Sequence, residues 1–397
     1  MENADKIRPG VPFRFDLREV NGALGDLGTL LPLTLASIAL AGLSPMAVFL
    51  GFGLFYLASG VIYRLPIPVQ PMKAVAAVVL VTEVAPGEIA LAGFVIGLVL
   101  LALGGSGAID RIARLVPQSV LAGLQLGLGL GLGWIALGLL QDAPILGAVS
   151  LCAAAFLLWR GSHAALAVLA LGLFCGTVFG LPALPLAAGA TAPGLLPAWP
   201  MDAAALRIAL ADLAFPQLAL TLTNAVLLTA LVARDSFGDR AARVTPRRLC
   251  LTSGAANLLL APIGALPMCH GAGGVAAHAR FGARSGAAPV MMGAALIVVA
   301  FLPAQWRAIA LAAIPTATLG ALLLVAAGQL AISRRLFDAV PSCRPVIAVT
   351  AAATLAFDPL AGLVAGTLAE ILRKAIVRRL WPRPETERPE SRVRRGN

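Results

Sequence analysis

Residues 65–79 read LPIPVQPMKAVAAVV, and residues 263–278 read IGALPMCHGAGGVAAH. Each stretch holds a Pro-Met pair, Pro71-Met72 and Pro267-Met268, followed by a polar residue and then a Val-Ala-Ala run. Proline lacks an N–H and is disfavoured inside a helix, but it suits an extended stretch and a first helical turn. Ile67 to Gln70 is therefore expected to be extended, giving way to a helix that starts near Pro71. The same is expected of Gly264 to Pro267, with His270 following. The two stretches stand roughly half a chain length apart.

What surrounds them is apolar. Of 397 residues, 59% are hydrophobic and 12% are charged, where a soluble chain has roughly 25% charged. The mean hydropathy is +0.90. So few charges cannot cover the surface of a soluble domain this size, so the composition is that of a polytopic helical membrane protein. Residues 1–18 carry Asp5, Lys6, Arg8, Arg14, Asp16 and Arg18 and no apolar core, so no cleaved signal peptide is expected. Five cysteines lie scattered without a CxxC pair, which points to neither a disulfide framework nor a thiolate metal site.

A helix needs about 20 residues to cross the hydrocarbon. Apolar runs punctuated by Gly, Pro and charge fall at 19–41, 46–63, 68–83, 89–104, 115–134, 143–159, 164–182, 207–232, 248–263, 268–280, 287–303, 308–329, 343–357 and 359–379. The expected fold is thus all-α, with fourteen membrane segments. The runs at 68–83, 268–280 and 343–357 are short for a full crossing. With the N-terminus inside, alternation places 27 of the 30 Lys and Arg on the cytoplasmic side. The exceptions are Lys73, Arg207 and Arg307. The net charge of +11 is therefore an orientation signal, and no nucleic-acid partner is expected. Residues 1–18 and the Pro-, Arg- and Glu-rich tail 381–397 are expected inside, the tail disordered. The link 183–206, without Lys or Arg, is expected outside. The expected location is a bacterial cytoplasmic membrane.

Fourteen divides into seven plus seven, as 19–182 and 207–380. Segments three and ten carry the two Pro-Met stretches. Segments one and eight are unusually polar, reading EVNGALGDLGTLLPLTLA (19–36) and ALADLAFPQLALTLTNAVLLTA (209–230). Because seven is odd, the second half must enter from the opposite side, which makes an inverted repeat of the kind found in secondary transporters. A helix beginning mid-membrane aims free N–H groups and its positive dipole end into a cavity. Two such half-helices facing each other would form one central anion site.

Lys73 is the sharpest single residue, because a charge at this depth is costly and usually functional. It meets an anionic substrate, pairs with Asp26, or snorkels to the interface near Arg64. Asp26, between Gly25 and Gly28, reads as a proton carrier, the partner of Lys73, or a polar anchor between helices. Asn21 and Thr29 extend its polar face. On segment eight, Gln217, Thr221 and Asn224 share a helical face and suit an oxyanion, with Thr223 beside them. Pro216 ahead of them is placed to break a turn. His270 could donate to an oxyanion or titrate. Gly271, Gly273 and Gly274 are followed by no GK[ST], so a phosphate loop is rejected. Three histidines without ligand spacing argue against a metal. Gln118 and Gln125 on segment five could face the cavity. Asp358 and Glu370 read as a turn and an inner helix end.

The chain resembles the molybdate transporter family, a branch near the SulP-type sulfate permeases that share a seven-plus-seven inverted fold with nucleobase permeases. The resemblance rests on NGALGDLGTLLPLTLA (21–36), PVQPMKAVAA (68–77), FPQLALTLTNAV (215–226) and PMCHGAGGVAAHARFGARSG (267–286). It implies a core domain of segments 1–4 and 8–11 moving as an elevator against a gate of segments 5–7 and 12–14. It places Gln70 and Lys73 in one half-site and Cys269, His270 and Gly271 in the other. Asp26, Thr29, Gln217 and Asn224 would line the cavity. Sulfate permeases usually add a cytoplasmic regulatory domain; none is expected here, which favours the molybdate branch. Where nucleobase permeases usually place carboxylates, this chain has Gln217 and His270.

The expected function is secondary active import of a tetrahedral oxyanion, molybdate first. Sulfate, tungstate or a general oxyanion follows, then bicarbonate, a carboxylate or a nucleobase. An enzyme would need a catalytic constellation, and a channel would not need paired half-helices around an occluded site. No nucleotide-binding motif or cofactor is expected, so coupling should come from an ion gradient. A proton is the expected partner ion, carried by Asp26 or His270. The resemblance also allows a homodimer through the gate.

Overall fold

The computed structural model describes residues 13–160, 163–181, 199, 202–332, 334–357 and 359–380. Most of the expected outer link, the tail 381–397 and Asp358 lie outside these residues. The described chain is helical, apart from one two-stranded ribbon.

In the first half the order is α1 (Leu17–Leu24), α2 (Leu27–Ala41), α3 (Pro45–Tyr63), β1 (Gln70–Pro71), α4 (Lys73–Val81), α5 (Pro86–Ser106), α6 (Ala108–Leu115), α7 (Gln118–Gln141), α8 (Pro144–Trp159) and α9 (Ala164–Phe179). Then comes a long helix, Ala203–Arg243, within which α10 (Ala203–Arg207), α11 (Phe215–Leu220) and α12 (Thr229–Phe237) alternate with π-helical turns at Ile208–Ala214 and Thr221–Leu228. The rest is α13 (Pro246–Leu260), β2 (Met268–Cys269), α14 (Ala272–Arg280), α15 (Ala287–Phe301), α16 (Ala304–Ala312), α17 (Thr316–Ala331), α18 (Arg334–Phe337), α19 (Arg344–Ala356) and α20 (Pro359–Leu380).

Local chemistry sets the helix starts. Ser44 and Thr245 cap α3 and α13 by accepting from Ala47 N and Arg248 N, each with proline as the first helical residue. Asp16 caps α1 by accepting from Glu19 N at 3.0 Å. Among the described residues, four helices are long and apolar enough to cross a membrane: Pro45–Tyr63, Pro86–Ser106, Gln118–Gln141 and Ala203–Arg243. Their outer surfaces expose large apolar side chains such as Val61, Leu98, Trp134 and Phe215. Only a lipid environment tolerates that much exposed apolar surface.

Three local expectations are corrected. The first segment is broken at Gly25-Asp26 into α1 and α2, where a single helix over 19–41 was expected. The expected helix 308–329 instead begins at Thr316, because Pro315 ends the preceding α16. Pro216 does not break its helix. The helix widens to π geometry before and after it, which absorbs the missing N–H while the axis continues.

The most extensive packings run α3 along α15, α5 along α13, and α7 along α17 and α19. The first of these seams is made by small residues. A Cβ on Gly293 would stand 2.7 Å from Gly53 O, so the backbones touch directly.

Candidate functional site

Where the two halves meet, β1 and β2 pair antiparallel, with Gln70 opposite Cys269 and Pro71 opposite Met268. Met72 N adds a bond to Pro267 O at 3.0 Å. Out of this ribbon run α4 and α14, each nine residues long. At 1.5 Å per residue each spans about 14 Å, half the hydrocarbon thickness. Each follows an extended stretch, as the proline pattern predicts for the local backbone.

Extended backbone at this depth needs partners supplied by the protein. Prolines 66 and 68 remove two donors, and the carbonyls around them are met by side chains. Ser59 Oγ donates to Ile67 O at 2.7 Å. His270 Nδ1 donates to Pro68 O at 2.8 Å, and His278 Nδ1 to Pro66 O at 3.0 Å. On the other strand, Asn257 acts as a substitute backbone. Its amide donates to Met268 O at 2.6 Å and its carbonyl accepts from Met268 N at 2.9 Å.

Beside the ribbon, Gln70, Pro71, Lys73, Gln217, Leu220, Asn224, Cys269 and His270 surround a cavity of about 10 Å³, room for roughly one water. Three polar atoms here are buried without a hydrogen-bond partner: Lys73 Nζ, Gln70 Oε1 and Asn224 Oδ1. Asp26, at the break between α1 and α2, is buried behind Gln70 and bonded by the Thr29 hydroxyl. It accepts from Gln70 Nε2 at 2.6 Å and from Tyr56 Oη at 3.4 Å. Gln217 Oε1 accepts from Ala74 N at 2.8 Å and Val75 N at 3.4 Å, and its amide donates to Thr221 Oγ1 at 2.9 Å. The start of α4 is thus already covered, whereas no side chain caps the start of α14 at Gly271. Gly271 lets Gln70 lie close, since a Cβ there would stand 2.0 Å from Gln70 Oε1 and push that side chain away.

The family described as "Molybdate transporter of MFS superfamily" matches residues 18–132 and 209–330. The chain belongs to the molybdate transporter family. Molybdate transporter 2 of Arabidopsis thaliana is 30% identical over 373 residues, covering 80% of this chain and 78% of that protein. Molybdate transporter 1 of Chlamydomonas reinhardtii is 30% identical over 435 residues, covering 79% and 83%. Among solved structures, the transmembrane domain of the cyanobacterial bicarbonate transporter BicA superposes with a TM-score of 0.54 at 19% identity, covering 88% of this chain and 96% of that one. SLC26A9 superposes with a TM-score of 0.58 at 12% identity, covering 92% and 66%. These two likenesses establish the fold, and the resemblance read from the four sequence blocks is borne out. The relatives are transporters, as expected, and not enzymes.

Within this member of the family, the structure gathers Gln70, Lys73, Gln217, Asn224, Cys269 and His270 around one cavity, with Asp26 against Gln70 Nε2 and Gly271 against Gln70 Oε1. Thr29 is buried one turn beyond Asp26, and Thr221 sits behind Gln217. Asn21 goes elsewhere. Its amide donates to Phe281 O and its carbonyl accepts from Leu166 N at 2.9 Å, so it joins α1 to α9 and to the end of α14. Lys73 does not pair with Asp26, whose oxygens are taken by Gln70 and Tyr56. The His270 ring is committed to Pro68 O and Thr252 Oγ1 and packs on Phe55 and Tyr63. Gln118 is exposed, and Gln125 is buried with its carbonyl unpartnered. Glu370 lies midway along α20 and not at a helix end, bound to Arg373 at 2.7 Å and Ser119 at 3.1 Å.

Sequence reasoning overlooked Tyr56, Ser59, Asn257 and His278. A lone Asn within the apolar run of α13 was the readable signal for Asn257. The hydroxyls on α3 carried none, since Ser and Tyr are ordinary in such helices.

Proposed function

We propose that this chain is a secondary active importer of a tetrahedral oxyanion, molybdate first, working by elevator-type alternating access through fourteen segments in two inverted halves. The observation that carries the reading is the cavity between the starts of α4 and α14, where Lys73 Nζ is buried without an acceptor. An oxyanion oxygen supplies that acceptor, and the uncapped start of α14 adds backbone N–H groups and a favourable dipole. Asn224 and Gln217 complete the lining with neutral groups. The relatives' names, molybdate transporters of Arabidopsis thaliana and Chlamydomonas reinhardtii, support molybdate over other dianions of the same shape.

Several packings support the inverted halves and the moving core. Under the correspondence of segment one with eight, two with nine and so on, α3 on α15 becomes α13 on α5, and both pairings are extensive. The family match falls in two blocks that begin near α1 and near α10. A cavity of about 10 Å³ is too small for a tetrahedral oxyanion, so binding requires the lining helices to separate. The orientation with both termini inside, proton coupling and a gate-mediated dimer belong to the same proposal.

The test is uptake of mass-detected molybdate into proteoliposomes, against excess sulfate, with and without an inward proton gradient. Saturable uptake that resists sulfate and needs Lys73 supports the reading. Equal competition by sulfate renames it a general oxyanion permease. No uptake of either anion by folded protein overturns it.

A further inference from the structure

Gln70 presents its two ends to opposite partners. Its amide Nε2 donates to Asp26 Oδ1 at 2.6 Å, while Oε1 lies over Gly271 at the cavity wall, buried and without a donor. A bare carbonyl oxygen facing an anion cavity repels the anion. It is also an unsatisfied buried acceptor, which costs about 1–3 kcal/mol. The arrangement is forced by Asp26: an ionised carboxylate only accepts, so it must be faced by the amide N–H.

Rotating the amide by half a turn about its last side-chain bond exchanges the two ends without changing the volume occupied. Both ends fit because Gly271 and Gly274 bring no Cβ; one at Gly274 would stand 2.6 Å from Gln70 Nε2 and from Asp26 Oδ2. In the rotated state the carbonyl faces Asp26, which requires a proton on Asp26 to donate to it. The amide N–H groups then face the cavity and can donate to an oxyanion. We propose that Gln70 is the coupling residue of the transport site: a proton taken from water onto Asp26 Oδ1 turns the Gln70 amide, converting an acceptor at the cavity wall into an anion-binding donor.

Of the other groups facing Asp26, Thr29 on α2 also bonds to the carboxylate through its hydroxyl, and none takes the place of Gln70 Nε2 on Oδ1. From α3, Tyr56 Oη lies 3.4 Å from Oδ2, the oxygen Gln70 does not use. From α4, Lys73 contributes charge without a hydrogen bond, and Cys269 of β2 lies near that ammonium. On and beside α14, His270 and His278 direct Nδ1 to Pro68 O and Pro66 O. The α17 residues against Gly28, Leu319 and Leu323, are apolar. A protonated Asp26 also removes the negative charge behind Gln70, so proton and dianion favour each other's binding reciprocally.

This inference rests on the oxyanion reading, and one experiment separates the two. Molybdate binding to the purified full chain is measured by calorimetry over neutral and alkaline pH, in buffers of different ionisation enthalpy. Wild type should take up about one proton per anion, with affinity falling by up to about tenfold per pH unit. Asp26→Asn, whose amide can donate permanently to Gln70, should bind with little pH dependence and no proton uptake. Gln70→Met, similar in volume but with no donor, should stay at or below the alkaline wild-type affinity at every pH. Folding of each variant is checked by thermal unfolding. Retention of the wild-type pH slope by Asp26→Asn overturns the switch and leaves the oxyanion site standing. So does full affinity of Gln70→Met at neutral pH. Absence of molybdate binding by wild type at every pH overturns both.

Discussion

Lys73 carries the clearest consequence at the scale of one residue. A buried ammonium without a partner costs stability. Lys73→Met should raise the thermal midpoint, through about 1–4 kcal/mol of recovered stability. The same change should cost at least about 2 kcal/mol of anion affinity, some thirtyfold. A variant that loses both stability and uptake would mean that Lys73 is a packing residue. His270 should behave in the opposite way. Its ring satisfies Pro68 O and meets Thr252, so His270→Ala should cost about 1–3 kcal/mol for each buried polar group left alone. The pH dependence of molybdate binding should not move. A flattened pH profile in a folded His270→Ala sample would make His270 the proton carrier instead of Asp26. The sequence drew attention to both residues, since intramembrane polar groups seldom lack a task. It left their roles open, because role depends on which neighbour each atom meets.

At the scale of elements, the ribbon β1–β2 holds the site, and Asn257 holds the ribbon. Asn257→Leu leaves Met268 N–H and C=O unpaired and should cost about 2–6 kcal/mol over the two groups, read as the fall in thermal midpoint. Full stability with unchanged uptake would mean that the ribbon needs no such support. The seam of α3 and α15 is tested by Gly293→Val. Its Cβ would press on Gly53 O at 2.7 Å and Leu57 N at 2.9 Å, so overpacking of about 1–3 kcal/mol should reduce the yield of folded protein in size-exclusion profiles. The half-helices were legible in the proline spacing, since proline acts on the backbone wherever it stands. The break at Asp26 and the π-helical turns around Gln217 were not. The local polar residues were visible, but the helix geometry they adopt was not.

At the scale of the whole molecule, the proposed core and gate touch through few polar contacts. One is Asn21 of α1 against Leu166 N of α9. If the core slides against the gate, a disulfide between Asn21→Cys and Leu166→Cys should stop uptake, and reduction should restore it. The accessible Cys152, Cys175 and Cys343 would first be replaced. Uptake that continues at the same rate in fully cross-linked protein would exclude relative motion at this contact and with it the elevator.

Composition and the two Pro-Met stretches determined by themselves that this is a helical membrane protein in which two short helices each follow an extended stretch. Those properties follow from hydrophobicity and from proline's missing N–H, which are local and need no knowledge of neighbours. The four polar blocks determined the family. Only the tertiary structure decided that Gln217 covers the start of α4, that Asn21 joins helices instead of lining the cavity, and that Asp26 bonds to Gln70 while Lys73 stands unpaired. Hydrogen bonds have fixed reach and direction. Residues hundreds of positions apart must be brought within about 3 Å before one can form, and no local pattern encodes that meeting.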